Sequence, residues 1–415
     1  MRNIILTISI LLLLASPVSA QKITSSKNST KKETAIKSLA FSAPFIVSGA
    51  ALYGAQGRKF QSLRDGISPG FSTRVDEYIQ YSPLAMLYGL KIAGVEGRSS
   101  WGKTIVTNAI SAAAMGAIVN GMKYTIKEPR PDGSRDNGYP SGHTALAFMS
   151  ANMVHHEYGL TRSPWYSVAA YGLATTTAVL RVMNNAHYAQ DVIMGAGIGI
   201  LSTEFGYFVA DLIFKDRGSL LGERNRSFGN TDSPYSYFGI NMGYNKIFNT
   251  MKISGIDMES GWGTTASIDG AWYFNNMCGA GINASANNAS TSLVNPVYYS
   301  SSVPGSIMGV TTPALNWYTV SAGPRISAKA GNILRFGAGF DLGYAYIKES
   351  SNVSFPLYSK GGLFLGGTLF AERDIIDGVL VRLFAKSDNS FFGNERPDIS
   401  SLVLGWSVAI NLNYR

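Results

Sequence analysis

With 415 residues the chain has room for two domains of ordinary size. Charged residues make up 15% of it and the net charge is +9, a low charge density with a basic bias, and no nucleic-acid motif accompanies the lysines. Its lone cysteine, Cys278, excludes an internal disulfide, so stability must come from buried area and hydrogen bonding.

Residues 1–20 read as an export signal. Arg2 supplies the positive start, Ile4 to Leu14 is almost wholly apolar, and Val18-Ser19-Ala20 offers a small-x-small cleavage pattern before Gln21. The apolar run is too short to span a bilayer comfortably, which predicts removal. Residues 21–34 then form a basic tail loaded by Lys22, Lys27, Lys31 and Lys32, read as a solvated segment.

From 35 to 214 the apolar period is helical. Predicted helices cover Ala35–Tyr53, Arg74–Ala93, Lys103–Ile126, His143–Tyr158, Trp165–Met183 and Ala189–Phe214, with Gly and Pro punctuating between them. Residues 215–233, rich in charge, Gly and Asn, read as a linker. After that the period becomes two, through 234–415. In one segment Leu334, Phe336, Ala338, Phe340, Leu342 and Tyr344 alternate with Arg335, Gly337, Gly339, Asp341 and Gly343. Successive strand residues face opposite sides, so one face is greasy and the other small or polar.

Eight such segments are predicted, near 235–245, 262–274, 277–287, 315–327, 332–347, 360–372, 378–387 and 401–414. Short and long connections alternate, and the last strand runs toward an aromatic ending at Tyr414, as in outer-membrane barrels. A soluble lipocalin-like barrel is the alternative. It requires an apolar interior, whereas the alternate faces here carry Asp269, Arg335 and Asp341. The fold class is therefore an all-α domain followed by an eight-stranded antiparallel barrel of outer-membrane type.

The residues that carry chemistry lie in the helical half. Lys123 is followed after six residues by Arg130-Pro131; then come Pro140-Ser141-Gly142-His143, and Arg181, His187 and Asp191. Only four histidines occur in the protein, and two of them stand in this company. A phosphate monoester carries close to two negative charges, and its transition state spreads charge over three equatorial oxygens. Lys123, Arg130 and Arg181 suit that charge, the arginines through planar two-pronged donation. Ser141 and Gly142 precede the helix predicted from His143, so their N–H groups are expected to point at an anion held at its N-terminus. His187 and Asp191 stand four apart, one helical turn, so the carboxylate is expected to fix the imidazole tautomer from the same face.

In these three motifs the chain resembles the type-2 phosphatidic acid phosphatase and vanadium haloperoxidase superfamily, over about Ala35 to Phe214. The resemblance implies that His187 attacks phosphorus and forms a phosphohistidine, that Asp191 orients it, and that His143 protonates the leaving oxygen and later activates water. Lys123, Arg130, Ser141, Gly142 and Arg181 would bind the phosphate, with no metal and no cofactor. One departure is visible: Leu180 precedes Arg181 where the family usually has Ser, which removes an accessory hydrogen bond.

His155-His156 has no partner at a useful spacing and reads as surface or packed, not as a metal site. Lys127, Asp132, Arg135 and Asp136 flank the site without a catalytic role, and Trp165, Tyr166 and Tyr171 read as core. Three functions compete. The first is a phosphatase acting on a phosphorylated lipid (lipid A, phosphatidate or a polyprenyl diphosphate) or on a small phosphoester. The others are a vanadium-dependent haloperoxidase and a non-enzymatic outer-membrane barrel with an inactive helical appendage. The uncharged runs Ser38–Gly57, Thr104–Met122 and Ser163–Leu180 are long enough to span a membrane. A chain stopped in the inner membrane could not deliver its C-terminal barrel to the outer one. The expected location is therefore the outer membrane with the helical domain in the periplasm, the alternative being a multi-pass inner-membrane protein.

Overall fold

The computed structural model describes residues 31–67, 70–215, 219–220, 236–253, 256–294, 314–330, 334–348, 359–376, 379–393 and 398–411. The export signal, most of the basic tail, most of the linker and the Tyr414 ending lie outside the described residues. The chain forms two compact units, one of 1–61 and 70–225, the other of 62–69 and 226–415.

In chain order the helices are α1 (Lys31–Ala51), α2 (Ala55–Ile67), α3 (Val75–Ile79), α4 (Ser82–Ile92), α5 (Trp101–Ile126), α6 (Gly142–Val154), α7 (Pro164–Met183) and α8 (Ala189–Phe214). Several differ from the predicted pattern. The basic tail gives way to helix at Lys31. Helix α2 was not anticipated because Arg58, Lys59, Gln61, Arg64 and Asp65 leave it few apolar positions, and Gly57 and Gly66 interrupt it. The helix predicted over Arg74–Ala93 is two. Pro83 sits in the first turn of α4, where its missing N–H costs nothing but where a continuous helix would need that donor. The helix from His143 ends as α at Val154 and continues as one π-turn, His155–Gly159.

The middle of the helical unit is α8, whose small residues let neighbours approach its backbone. A Cβ on Gly195 would meet Ser141 and Thr144, one on Gly197 would meet Phe45 and Ile46 of α1, and one on Gly206 would meet Thr107 and Ser111 of α5. Glu157 and Asn152, buried between the helices, are paired, as desolvation of a charge or an amide demands. Glu157 accepts from Tyr207 Oη and the Ser99 N–H, both at 2.9 Å, and Lys91 lies 3.7 Å away. Asn152 bridges Tyr171 and Glu204, each at 2.8 Å.

Two side-chain expectations need correcting. His156 is paired after all, its Nε2 being 2.7 Å from Glu204, a partner 48 positions away that no local spacing could reveal. Trp165, in the first turn of α7, is 65% exposed instead of core; Tyr171 is buried as expected. Among the described residues two helices, α5 and α8, are long and apolar enough to cross a membrane. Most of α8 is buried. In α5, by contrast, Lys103, Thr104, Thr107 and Ser111 are buried while Trp101, Ile105, Ile118 and Tyr124 face outward.

The second unit is a closed antiparallel barrel of eight strands, β1 (Tyr237–Ile247), β4 (Trp262–Tyr273), β5 (Cys278–Ala289), β7 (Leu315–Ala330), β8 (Leu334–Ile347), β9 (Lys360–Ile376), β10 (Val379–Phe391) and β11 (Ile399–Asn411). It closes where β1 pairs with both β4 and β11, Tyr237 lying opposite Ala271 on one side and Asn411 on the other. A separate small sheet of β2 (Met251–Ile253), β3 (Ile256–Ser260) and β6 (Thr291–Leu293), not predicted, packs Met251, Ile253 and Met258 with Trp317, Phe364 and Ile399.

The alternation sorts the side chains. Phe238, Ile268, Ile282, Val320, Phe336, Phe340, Leu342, Tyr344 and Leu369 are exposed outward, while Asp269, Asn283, Arg325, Asp341, Glu372, Arg382, Lys386 and Asp388 are buried inside. The interior charges neutralise one another. Arg382 donates to Asp269 at 2.9 Å and to Glu372 at 2.7 Å, Arg325 pairs with Asp341 at 2.8 Å, and Lys386 with Asp388 at 3.2 Å. An apolar outside around a charged inside is the reverse of a lipocalin and rules that alternative out.

Candidate active site

Four segments of the helical unit bring the predicted site residues together. Lys123 comes from the last turn of α5, Arg130 from the loop after it, Ser141 to His143 from the start of α6, and Arg181, His187 and Asp191 from the α7–α8 junction. The Tyr139–Pro140 bond in the loop before α6 is cis.

The loop between α5 and α6 is tied to the cations it serves. Lys123 Nζ donates to the Asn137 carbonyl at 2.6 Å, and Arg130 Nε to Asn137 Oδ1 at 3.1 Å. Burial, reinforced by Arg130, lowers the Lys123 ammonium to about 8. Burial and then Arg181 lower Arg130. Like charges held this close to one another, and drawn out of water, make a pocket that gains from any anion entering it.

Ser141 caps α6. Its Oγ accepts from the Thr144 N–H at 3.4 Å and from Thr144 Oγ1 at 3.0 Å. Its own N–H is not aimed at an anion, as the sequence suggested, because it donates to the Asp191 carbonyl at 2.9 Å. That bond pins the turn to the start of α8. The Thr144 N–H goes to Ser141 Oγ and the Ala145 N–H to the Ser141 carbonyl, so Gly142 and His143 are the first-turn positions whose N–H groups are candidates for an anion at this helix end.

The His187–Asp191 contact also arises differently from the expected helical face. Helix α8 begins at Ala189 with Tyr188 as its N-cap, so His187 lies outside the helix. Asp191 is the third helical residue, and its Oδ2 turns back to accept the Tyr188 N–H at 2.9 Å while His187 Nδ1 stands 3.3 Å from the same oxygen. One carboxylate thus caps the helix and holds the imidazole, leaving the other ring nitrogen as the candidate nucleophile. Burial raises Asp191 to about 7, opposed by the Tyr188 N–H and by Lys123 and Arg130. Burial, then Arg181, Arg130 and Lys123, hold His187 well below the usual imidazole range, which favours the neutral ring. For His143 the same causes, burial first and then Arg181 and His187, lower it to about 4.

Two residues here were not foreseen. Asp76, at 1% exposure on α3, pairs through Oδ2 with Arg181 Nη1 at 2.7 Å. Glu128, also buried, accepts from Gln190 Nε2 at 3.1 Å, and burial followed by the charge of Asp191 raises its carboxyl. Neither stands at a motif spacing. Only the fold reveals them. Arg181 Nε is itself buried with no acceptor among the described residues.

Residues 105–211 match the PAP2 superfamily. The helical unit carries a PAP2 superfamily domain. A curated relative, the lipid A 1-phosphatase of Porphyromonas gingivalis (strain ATCC 33277), is 48% identical over 157 residues, 38% of this chain. The match spans only 35% of that relative's length. Among solved structures, LpxE of Aquifex aeolicus is similar at 20% identity over 35% of this chain and 92% of its own, with a TM-score of 0.28. The neisserial surface protein A, NspA, is similar at 11% identity over 43% of this chain and 97% of its own, with a TM-score of 0.31.

Proposed function

We propose that the PAP2 domain is a phosphatase that hydrolyses a lipid-linked phosphate through a phosphohistidine intermediate. The observation that carries this reading is the convergence of three buried or half-buried cations on a neutral, carboxylate-held imidazole, with one guanidinium donor, Arg181 Nε, still lacking an acceptor. A buried donor left unpaired costs about 1–3 kcal/mol, and a phosphate oxygen removes that cost.

In the proposed reaction Lys123, Arg130, Arg181 and the α6 N-terminus hold the phosphoryl oxygens. The free nitrogen of His187 attacks phosphorus, the P–N bond forms and the P–O bond to the leaving group breaks. His143 gives its proton to the leaving oxygen. Empty, the site keeps His143 deprotonated at neutral pH, with an imidazole pKa of about 4. A phosphate dianion beside it adds the negative charge that restores the proton, so the acid is loaded by substrate. Water then attacks phosphorus, gives a proton to His143 and releases inorganic phosphate as the P–N bond breaks.

The lipid A 1-phosphatase relative supports lipid A as the first substrate to try, with phosphatidate and polyprenyl diphosphate after it. The barrel's apolar exterior and charged interior support an anchor in the outer membrane, and an exported chain so anchored would carry its helical unit in the periplasm. The outward apolar face of α5 favours a second reading, a helical unit seated in the inner membrane. Density fractionation of native membranes separates the two: recovery of the full chain with the inner membrane would discard the outer-membrane placement.

The deciding assay is phosphate release from lipid A, phosphatidate, polyprenyl diphosphate and a soluble aryl phosphate by the full-length protein. Activity should disappear in His187→Ala and fall strongly in His143→Ala. Wild-type turnover by purified His187→Ala would refute the assignment. Halide oxidation dependent on added vanadate would instead make the protein a haloperoxidase, and silence in both assays would leave the non-enzymatic reading.

A further inference from the structure

Arginine offers a phosphate two distinct two-pronged edges, the pair of terminal nitrogens or the side edge made by Nε and Nη2. In this site the choice has been made. Asp76 engages Nη1 of Arg181 at 2.7 Å, which leaves the Nε–Nη2 edge as the one that Asp76 does not touch. The atom at that edge which the protein leaves without an acceptor is Nε, and it is buried. Among the described residues Asp76 makes no second commitment that would explain it as a structural hub: its Oδ1 is buried with no donor there. Its α3 helix is five residues long, and the Thr73 N–H and carbonyl just before it are both held at 2.8 Å by Asn184, the residue that caps the end of α7 beyond Arg181. The carboxylate and the guanidinium it clamps are thus fastened to each other through the backbone as well.

We propose that Asp76 is the positioning residue of the phosphate site: it locks Arg181 so that the Nε edge faces the phosphoryl group. The inference rests on the phosphatase reading for its substrate, but it makes a claim about oxyanion binding that stands apart from turnover. It also carries a sign that plain electrostatics does not. Asp76 brings a negative charge beside an anion site, so removing that charge would by itself tighten phosphate binding. If orientation is what Asp76 supplies, removing it weakens binding instead, because an unclamped guanidinium must give up rotamer freedom to engage.

The test is calorimetric titration of inorganic phosphate into full-length protein in detergent, comparing native, Asp76→Asn, Asp76→Glu, Arg181→Ala and the Asp76→Asn/Arg181→Ala pair. Asp76→Asn should weaken phosphate at least about tenfold. Asp76→Glu, which restores the charge and an acceptor, should recover part of that loss. In the Arg181→Ala background Asp76→Asn should change affinity less than about twofold, because nothing is left to position.

Unchanged or tighter binding by Asp76→Asn would overturn the proposal. So would losses that multiply in the double variant, the result expected if the substitution merely unfolds the domain. Native protein that binds phosphate yet hydrolyses no phosphoester would sink the phosphatase reading and leave this proposal to be decided by the variants. Native protein that binds no phosphate would overturn both.

Discussion

Gly195 is the position where the packing of the fold and the geometry of the site can be separated from mere helix propensity. A Cβ placed there would stand 2.5 Å from the Ser141 carbonyl oxygen and 3.3 Å from Thr144 Cβ. The first distance falls short of the 3.4 Å of ordinary contact by about 0.9 Å. The obstructing atom is backbone, and it already accepts the Ala145 N–H at 3.0 Å, so it cannot swing aside alone. The Ser141 N–H, bonded to the Asp191 carbonyl, resists the same movement from the other side.

Gly195→Ala therefore has to push the start of α6 away from α8 by most of an ångström. Overpacking of this kind costs about 1–3 kcal/mol. A misplacement near 1 Å between reacting groups costs roughly a hundredfold in rate. Gly172, inside α7 with nothing within 4 Å of its missing Cβ, is the control. Gly172→Ala should leave turnover alone and stabilise by about 0.5–1 kcal/mol through helix propensity. Thermal unfolding and kcat for the two variants check this. A Gly195→Ala protein with native kcat and Tm would show that the α6–α8 approach does not set the position of the phosphate turn.

Two further outcomes follow from the charges. The Lys123 ammonium, lowered to about 8 by burial and Arg130, loses its proton as pH rises through that value, so kcat/KM, which reports the free enzyme, should decline on the alkaline side of about 8. Lys123→Arg keeps its charge throughout and should carry the limb to higher pH at some cost in fit; an unmoved limb in a pH series from 6 to 10 would assign the titration elsewhere. In the barrel, Arg382 is shared by Asp269 and Glu372 and lies over the Tyr237 and Phe370 rings at 3.8 Å and 4.2 Å. Arg382→Ala leaves two carboxylates buried without that partner and should destabilise the barrel by about 3–5 kcal/mol, read from denaturant unfolding in detergent. A loss below about 1 kcal/mol would mean the interior charges are better hydrated than their burial implies.

The periods of the sequence were enough to give the architecture. An alternation of two, with Phe336, Phe340 and Leu342 on one face and Arg335 and Asp341 on the other, fixes which side of a strand meets lipid and which the interior, because the pleat allows no other assignment. The motif residues Lys123, Arg130, His143, Arg181, His187 and Asp191 were equally visible, since cations, imidazoles and a carboxylate in that order are scarce in a chain with so few charges and histidines. The pairings stayed hidden. Asp76 meets Arg181 across 105 positions and His156 meets Glu204 across 48, and no local pattern encodes contacts at such separations. The tertiary structure also decided the finer chemistry: Asp191 reaches His187 by capping α8 from inside, not by sharing a helical face with it, and the Ser141 N–H is consumed in fastening the turn. Composition and period specify what each segment must bury. Which donor meets which acceptor is settled only when α3, α6, α7 and α8 close on one another and every buried polar group has to find a partner or wait for one.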